Sequence, residues 1–151
     1  MNKVTPFLMF ESGAGEAMDF YASVFKNSKI ISKITGPNEM TVGTIEIEGQ
    51  TIQTYDGGAY FKFSEAFSLS VSCSSQEEVD YYWNAFIAGG GKESMCGWLS
   101  DKWGVSWQII PTRLMEIVGH PDREKANRGV QAMLQMKKII IADLEAAFEA
   151  K

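Results

Sequence analysis

An internal repeat constrains the fold of this 151-residue chain more than any other feature. The segment E-A-M-D-F-Y-A-S-V-F at Glu16–Phe25 is similar to E-E-V-D-Y-Y-W-N-A-F at Glu77–Phe86. The strand-like stretches that precede the two segments keep the same offset, which aligns Leu8 with Leu69. Two amphipathic helices can look alike by chance, but a shared strand-to-helix spacing favours a true duplication.

The first half of the repeat predicts a strand, a helix and three further strands. Thr5–Phe10 reads as the first strand, and Ser12–Gly13 then opens a helix whose apolar residues recur at steps of three and four. Glu48–Gly49 predicts a tight hairpin. The three strands after the helix are Lys29–Thr35, Met40–Glu48 and Gln50–Tyr55.

The second half repeats this order. Phe67–Cys73 alternates between apolar residues and serines, as a half-buried strand does. Ser75 followed by Glu78 has the spacing of a capping box at the start of a second helix. The last strands of the two halves, Gln50–Tyr55 and Val105–Ile110, can be aligned so that Gln53 corresponds to Gln108.

The second half ends in a tryptophan-rich stretch, C-G-W-L-S-D-K-W-G-V-S-W-Q-I-I-P, at Cys96–Pro111. Val105, Trp107 and Ile109 fall on one face of its last strand. Gln108 falls on the other face, among mostly apolar neighbours. A buried amide needs hydrogen-bond partners, which protein, water or a ligand can supply.

A tail follows Pro111. It predicts helices at Arg113–Val118, Arg123–Met136 and Ala142–Ala150, with Asp122 as a cap. The tail is too apolar for a solvated linker, so we expect it to pack on the repeat or on a second copy of the chain.

Charge and composition argue against several classes of partner and of functional site. A net charge of −5 argues against nucleic acid as a partner. The start of the chain lacks the apolar run of a signal peptide, and no stretch has a membrane-spanning length. The two cysteines predict reduced thiols, and the single histidine argues against histidine-based metal cages and a charge-relay triad. We therefore expect a cytoplasmic protein with no membrane partner.

These motifs resemble the vicinal oxygen chelate superfamily, the glyoxalase, bleomycin-resistance and dioxygenase fold. Within it, they are most similar to the PhnB-like branch, labelled 3-demethylubiquinone-9 3-methyltransferase-like. The tryptophan-rich stretch is the most specific motif, and together the segments cover nearly the whole chain. The supporting segments are Pro6–Phe25, Gln76–Trp83, Cys96–Pro111 and Ala132–Ile139.

The resemblance implies an α+β fold in which two βαβββ modules form a curled mixed β-sheet cup with helices outside. A C-terminal helical extension is added to the cup. The expected organisation is one domain over 1–151, with module 1 at about 3–62, module 2 at about 66–111 and the extension at 112–151. Because the superfamily commonly pairs modules within or between chains, we also expect a homodimer.

The resemblance also implies where a metal would bind. The family's ligand positions fall here on Thr5, Gln53, Ala66 and Gln108. Catalytic divalent metals favour imidazole or carboxylate donors, whereas these residues offer one methyl group, one hydroxyl and two neutral amides. We therefore predict no metal site of the usual kind and no cofactor, although a divalent metal held by atypical ligands stays an alternative.

The expected function is the binding of a small molecule in the cup. The alternative is a metal-assisted lyase, isomerase or dioxygenase with an atypical ligand set. A methyltransferase is disfavoured, because no glycine-rich strand–turn–helix for an adenosyl group is present. For the glutamines the competing interpretation is hydrogen bonding to each other or to trapped water, and for the cysteine it is a structural thiol. For the tyrosine it is packing, and for Trp98 it is a place in a subunit interface. The ligand-binding candidates are Gln53, Tyr55, Gln108, Trp98, Cys96 and Phe7.

Overall fold

The computed structural model describes residues 3–150, so the outermost bounds of the predicted domain, 1 and 151, lie outside the described residues. The chain forms two compact units, of which one ends at Ser64 and the other begins at Glu65. The elements of the first unit are β1 Phe7–Phe10, α1 Ala14–Val24, β2 Ser28–Thr35, β3 Thr41–Ile47 and β4 Gln50–Asp56. Those of the second are β5 Ser68–Cys73, α2 Gln76–Ala88, β6 Lys92–Glu93, β7 Trp98–Ser100, β8 Ser106–Pro111, α3 Thr112–Val118, α4 Arg123–Met133 and α5 Ile141–Glu149.

The two units contain sheets of the same topology. The first sheet has the strand order β1-β4-β3-β2 and the second the order β5-β8-β7-β6. In each sheet the first strand pairs in parallel with the last, and the remaining pairs are antiparallel. This confirms the duplication and the α+β fold of two βαβββ-like modules followed by a helical extension.

The strand register corrects one detail of the duplication. Phe7 of β1 lies opposite Gln53, and Met9 lies opposite Tyr55. In the second sheet Ser70, which the repeat aligns with Met9, lies opposite Gln108. The residue that corresponds to Gln108 is therefore Tyr55, two positions beyond Gln53. The alignment of the last strands was wrong because it matched residue types rather than pairing with the first strand.

A buried carboxylate holds the first unit together. The Oδ1 atom of Asp56 accepts a hydrogen bond from the N–H of Ala14 at 2.8 Å, and Oδ2 accepts one from Thr41 at 2.9 Å. Helix α1 has no capping side chain of its own at Gly13, so Asp56 satisfies its first turn from the end of β4. The strand predicted from the sequence ended at Tyr55, one residue before Asp56, and did not indicate this role.

Helix α1 and the hairpin at Glu48–Gly49 form as the sequence predicts. The helix buries the predicted apolar face against the sheet, including Met18 and Tyr21. Glu48 and Gly49 both have positive φ angles, 48° and 83°, which is the backbone of a type I′ turn.

In the second unit Ser75 caps α2, because its side chain accepts a hydrogen bond from the N–H of Glu78 at 3.2 Å. The helix packs on the face of β8 that carries Trp107, whose ring centroid lies 4.8 Å from that of Phe86. Val105, Trp107 and Ile109 are all buried, so the predicted alternation of this strand is confirmed.

The extension has a core of its own. Helix α4 ends at Met133, three residues earlier than predicted, because the next residues form turns in which Met136 N–H bonds to the carbonyl of Met133. Helix α5 begins at Ile141, where the Gln76 side chain accepts the first N–H at 2.8 Å. The buried core residues of the extension are Leu114, Ile117, Ile139, Leu144 and Phe148.

Between residues 3 and 150, no helix is both long enough and apolar enough to cross a membrane.

Candidate ligand-binding site

A cavity of about 590 Å³ lies in the second unit, between the face of its sheet that is turned away from α2 and the first helix of the extension. Strands β5, β7 and β8 supply one side of the cavity, and α3 and α4 supply the other. The lining residues are Ser70, Ser72, Cys96, Trp98, Gln108, Ile110, Thr112, Leu114, Met115, Glu116, Val118 and Met133.

Gln108 stands at the centre of the polar part of this lining. It lies opposite Ser70 on one side and opposite Trp98 on the other, so the three side chains form a row across the sheet. Its Nε2 donates a hydrogen bond to the hydroxyl of Ser68 at 2.9 Å. That bond fixes the amide, and within the described residues its Oε1 has no hydrogen-bond partner, which leaves an acceptor for a ligand.

The strand that carries Gln108 is positioned by the loop before it. Asp101 is only 4% exposed, and its Oδ1 accepts hydrogen bonds from the N–H groups of Trp103 and Val105 at 3.0 and 2.9 Å. Its Oδ2 accepts one from the indole N–H of Trp107 at 3.0 Å. One carboxylate thus ties the turn to the buried face of β8 and fixes the opposite face, on which Gln108 lies.

The extension reaches the cavity through backbone hydrogen bonds. The N–H of Cys96 donates to the carbonyl of Met136, and that of Gly97 donates to Lys137, both at 2.7 Å. Gly97 has a φ of 82°, and a Cβ there would lie 3.0 Å from the carbonyl oxygen of Ile109. Only glycine fits this close approach without strain.

An ion-pair cluster fixes α3 on the far side of the cavity. The guanidinium of Arg113 binds Glu145 of α5 through Nε and through Nη2, the latter at 3.1 Å. Its Nη1 also binds Glu116, which lines the cavity, at 2.9 Å. The hydrogen bond from Arg113 lowers the pKa of Glu145 below its usual value.

The candidate residues predicted from sequence divide between the two units. Gln108, Trp98 and Cys96 line the same cavity. Phe7 and Gln53 are neighbours in the register of the first sheet, and Tyr55 lies on the same face one row away. That face is turned away from α1, because Thr54, which alternates with them, contacts Met18 of the helix.

The ligand-binding candidates named from the sequence include only three of the twelve residues that line the cavity. The serines at alternate positions of β5 were visible as a polar strand face, but were not among the ligand-binding candidates. The residues from α3 and α4 gave no such signal, because their apolar positions read as helix core. The missed lining residues are Ser70, Ser72, Ile110, Thr112, Leu114, Met115, Glu116, Val118 and Met133.

The two thiols have different surroundings. Burial, and next the charge of Glu78, raise the pKa of the Cys73 thiol to about 12, so it stays protonated at neutral pH. Cys96 is partly exposed at the cavity and is a free thiol, like Cys73. Cys96 is therefore the more accessible of the two to a thiol reagent.

The residues at the family's metal positions do not fit a divalent metal. Ala66 has no donor atom, and Gln53 and Gln108 offer only neutral amide oxygens. Neutral amides are weak ligands for the metals of catalytic sites. Within residues 3–150, no group of three or more His, Cys, Asp or Glu side chains is arranged to hold a metal ion.

Comparisons with known proteins place the fold. The model of the 3-demethylubiquinone-9 3-methyltransferase family matches residues 2–110. The structure of a PhnB protein from Bacillus cereus is 35% identical, with a TM-score of 0.64, over 70% of this chain and 96% of that one. No curated protein matches the chain.

Two further structures share the fold at low identity. Protein PA1353 from Pseudomonas aeruginosa is 19% identical, with a TM-score of 0.61, over 71% of this chain and 95% of its own. The fosfomycin resistance protein FosX from Listeria monocytogenes, in complex with Mn(II) and sulfate, is 16% identical, with a TM-score of 0.55, over 71% of this chain and 89% of its own. The chain therefore belongs to the PhnB-like 3-demethylubiquinone-9 3-methyltransferase family of the vicinal oxygen chelate superfamily.

Proposed function

We propose that this protein binds one small organic molecule in the cavity of its second unit, through hydrogen bonds and apolar contact rather than through a metal. The observation that carries the proposal is the cavity itself. Its volume of about 590 Å³ falls within the range of roughly 300–1,000 Å³ that small-molecule pockets occupy.

The chemistry of the lining supports an amphipathic ligand. Ser70, Ser72 and Gln108 come from adjacent strands and offer hydroxyl and amide groups along one side. Leu114, Met115, Val118 and Met133 offer hydrocarbon and thioether surface on the other side. A few convergent polar groups in a mostly apolar pocket are typical of sites that orient a small molecule.

The fixed amide of Gln108 would orient a ligand in the cavity. Because Ser68 accepts from the Nε2 of Gln108, the amide is held before a ligand arrives, and little side-chain entropy is lost on binding. Its Oε1 can accept a hydrogen bond from a ligand hydroxyl or N–H. The neighbouring serine hydroxyls can donate to a ligand carbonyl.

The test uses N-phenyl-1-naphthylamine, an uncharged fluorescent molecule with an apolar body and one N–H group. We expect its fluorescence to rise on binding with a stoichiometry of one per chain. We also expect it to slow the reaction of Cys96, which lines the cavity, with a thiol reagent. Buried Cys73 is the internal control, because its labelling reports unfolding rather than occupancy.

A matched pair of variants locates the binding. Ser70→Phe fills the cavity and should abolish binding of the probe. Ser32→Phe places the same side chain on an exposed strand position of the first unit and should leave binding unchanged. Failure of the probe to protect Cys96, or equal binding by the two variants, would overturn the proposal.

A further inference from the structure

The C-terminal extension supplies half of the cavity lining. The family model ends at residue 110, and Thr112, Leu114, Met115, Glu116, Val118 and Met133 all lie beyond it. Residues beyond the stretch that the family model matches therefore form one side of the cavity and help to decide which molecules fit in it.

The extension is fixed in this position. Leu114 and Ile117 of α3 pack with the other buried residues of the extension core, and Ile110 of the strand and Met133 pack against them. Gly129 of α4 allows this packing, since a Cβ there would lie 2.4 Å from Cγ2 of Ile117. The wall of the cavity is thus part of a packed core.

The lining carries no basic side chain. Among the lining residues, all of which lie within the described part of the chain, Glu116 is the only charged one. Its carboxylate is bound to Arg113, which also binds Glu145, so one guanidinium serves two carboxylates. The lysines that follow Met136 are paired as well, Lys137 with Glu93 and Lys138 with Asp80.

We infer that the extension makes this cavity selective for uncharged molecules and against anions, an inference that rests on the proposed binding function. An anion that enters loses part of its hydration, which costs free energy unless a cation or several strong donors replace the water. The cavity offers neutral hydroxyl and amide groups, which suit the carbonyl, hydroxyl or N–H group of an uncharged ligand.

The test compares two molecules that differ by one sulfonate, N-phenyl-1-naphthylamine and 8-anilinonaphthalene-1-sulfonate. Fluorescence titration of the wild-type protein, with Cys96 protection as the second readout, should give an affinity for the sulfonate that is weaker by about tenfold or more. The Glu116→Lys variant adds a cation at the lining and should strengthen binding of the sulfonate relative to binding of the uncharged probe. Glu124→Lys, an exposed site on α4 with the same charge change, is the matched control and should leave both affinities as they are.

The outcomes separate this inference from the proposed function. If the sulfonate protects Cys96 at the same concentration as the uncharged probe, the inferred selectivity against anions is wrong and the proposed binding function stands. If neither molecule protects Cys96, the binding function itself fails. If Glu116→Lys and Glu124→Lys strengthen sulfonate binding equally, net charge rather than the lining sets the preference, and the inference is overturned.

Discussion

Asp101 occupies a turn in the sequence and a buried position in the fold. Its two carboxylate oxygens accept hydrogen bonds from Trp103, Val105 and Trp107, and through them they fix the strand that carries Gln108. In the sequence Asp101 lies in the polar stretch Ser100–Asp101–Lys102, which is typical of a turn. A turn needs polar residues, so the pattern alone could not distinguish an exposed aspartate from a buried acceptor.

Replacing Asp101 with alanine should cost about 3 kcal/mol or more of unfolding free energy, because three donors would lose their partner and a buried N–H without one costs about 1–3 kcal/mol. Asp101→Asn keeps one oxygen acceptor and should lose less. Urea unfolding measures both, with Asp143→Ala on the exposed first turn of α5 as the control. A loss below about 1 kcal/mol for Asp101→Ala would contradict the role assigned to this carboxylate.

The helices show which elements a sequence can predict. Helices α1 and α2 have regular apolar faces and a capping signal in α2, and they form close to their predicted positions. The end of α4 was predicted too late, because helix-forming residues continue to Met136 while the carbonyls of Met136 and Lys137 bond to Cys96 and Gly97. Tertiary hydrogen bonds therefore set this boundary, and the helix propensity of the local sequence gives no information about them.

The pairing of α3 with α5 predicts a pH dependence. Arg113 lowers the pKa of Glu145, so the folded state gains stability above the pKa of the unfolded carboxyl, about 4.3, and loses it as the pH falls through the lower folded pKa. We expect Glu145→Gln to destabilise the protein at pH 7 and to match the wild type more closely below pH 4. Thermal unfolding across this range measures the effect. A constant difference at all pH values would mean that packing, and not charge, joins the two helices.

At the scale of the whole molecule, the fold was largely predictable, because duplication, alternation and the family motifs all lie in the sequence. The cavity was predictable only on the strand side, where Gln108, Trp98 and Cys96 share a face. The helix side depends on how the extension packs, and the apolar residues of α3 do not indicate whether they face a core or a cavity. At the family's metal positions Ala66 has no donor atom and Gln108 offers only a neutral amide, and the absence of a metal site of the usual kind stays a prediction.

A homodimer also stays a prediction, and the first unit gives it a physical reason. Phe7, Ile34 and Val42 lie on the sheet face turned away from α1 and are 51%, 66% and 43% exposed. Such apolar side chains on one face favour association with a second copy. We expect sedimentation at micromolar concentration to give twice the mass of one chain, and Val42→Glu to shift it towards the monomer. A wild-type chain that sediments as a monomer would refute the dimer.

We expect the two backbone hydrogen bonds that join Cys96 and Gly97 to the segment after α4 to affect how the proposed ligand enters and leaves the cavity. Opening the cavity by lifting the extension would break both bonds and expose its apolar core. A ligand can instead enter past the side chain of Met115, which is 63% exposed at the wall. Exchange should then follow side-chain rotation rather than unfolding, which gives short residence times and a site that refills quickly.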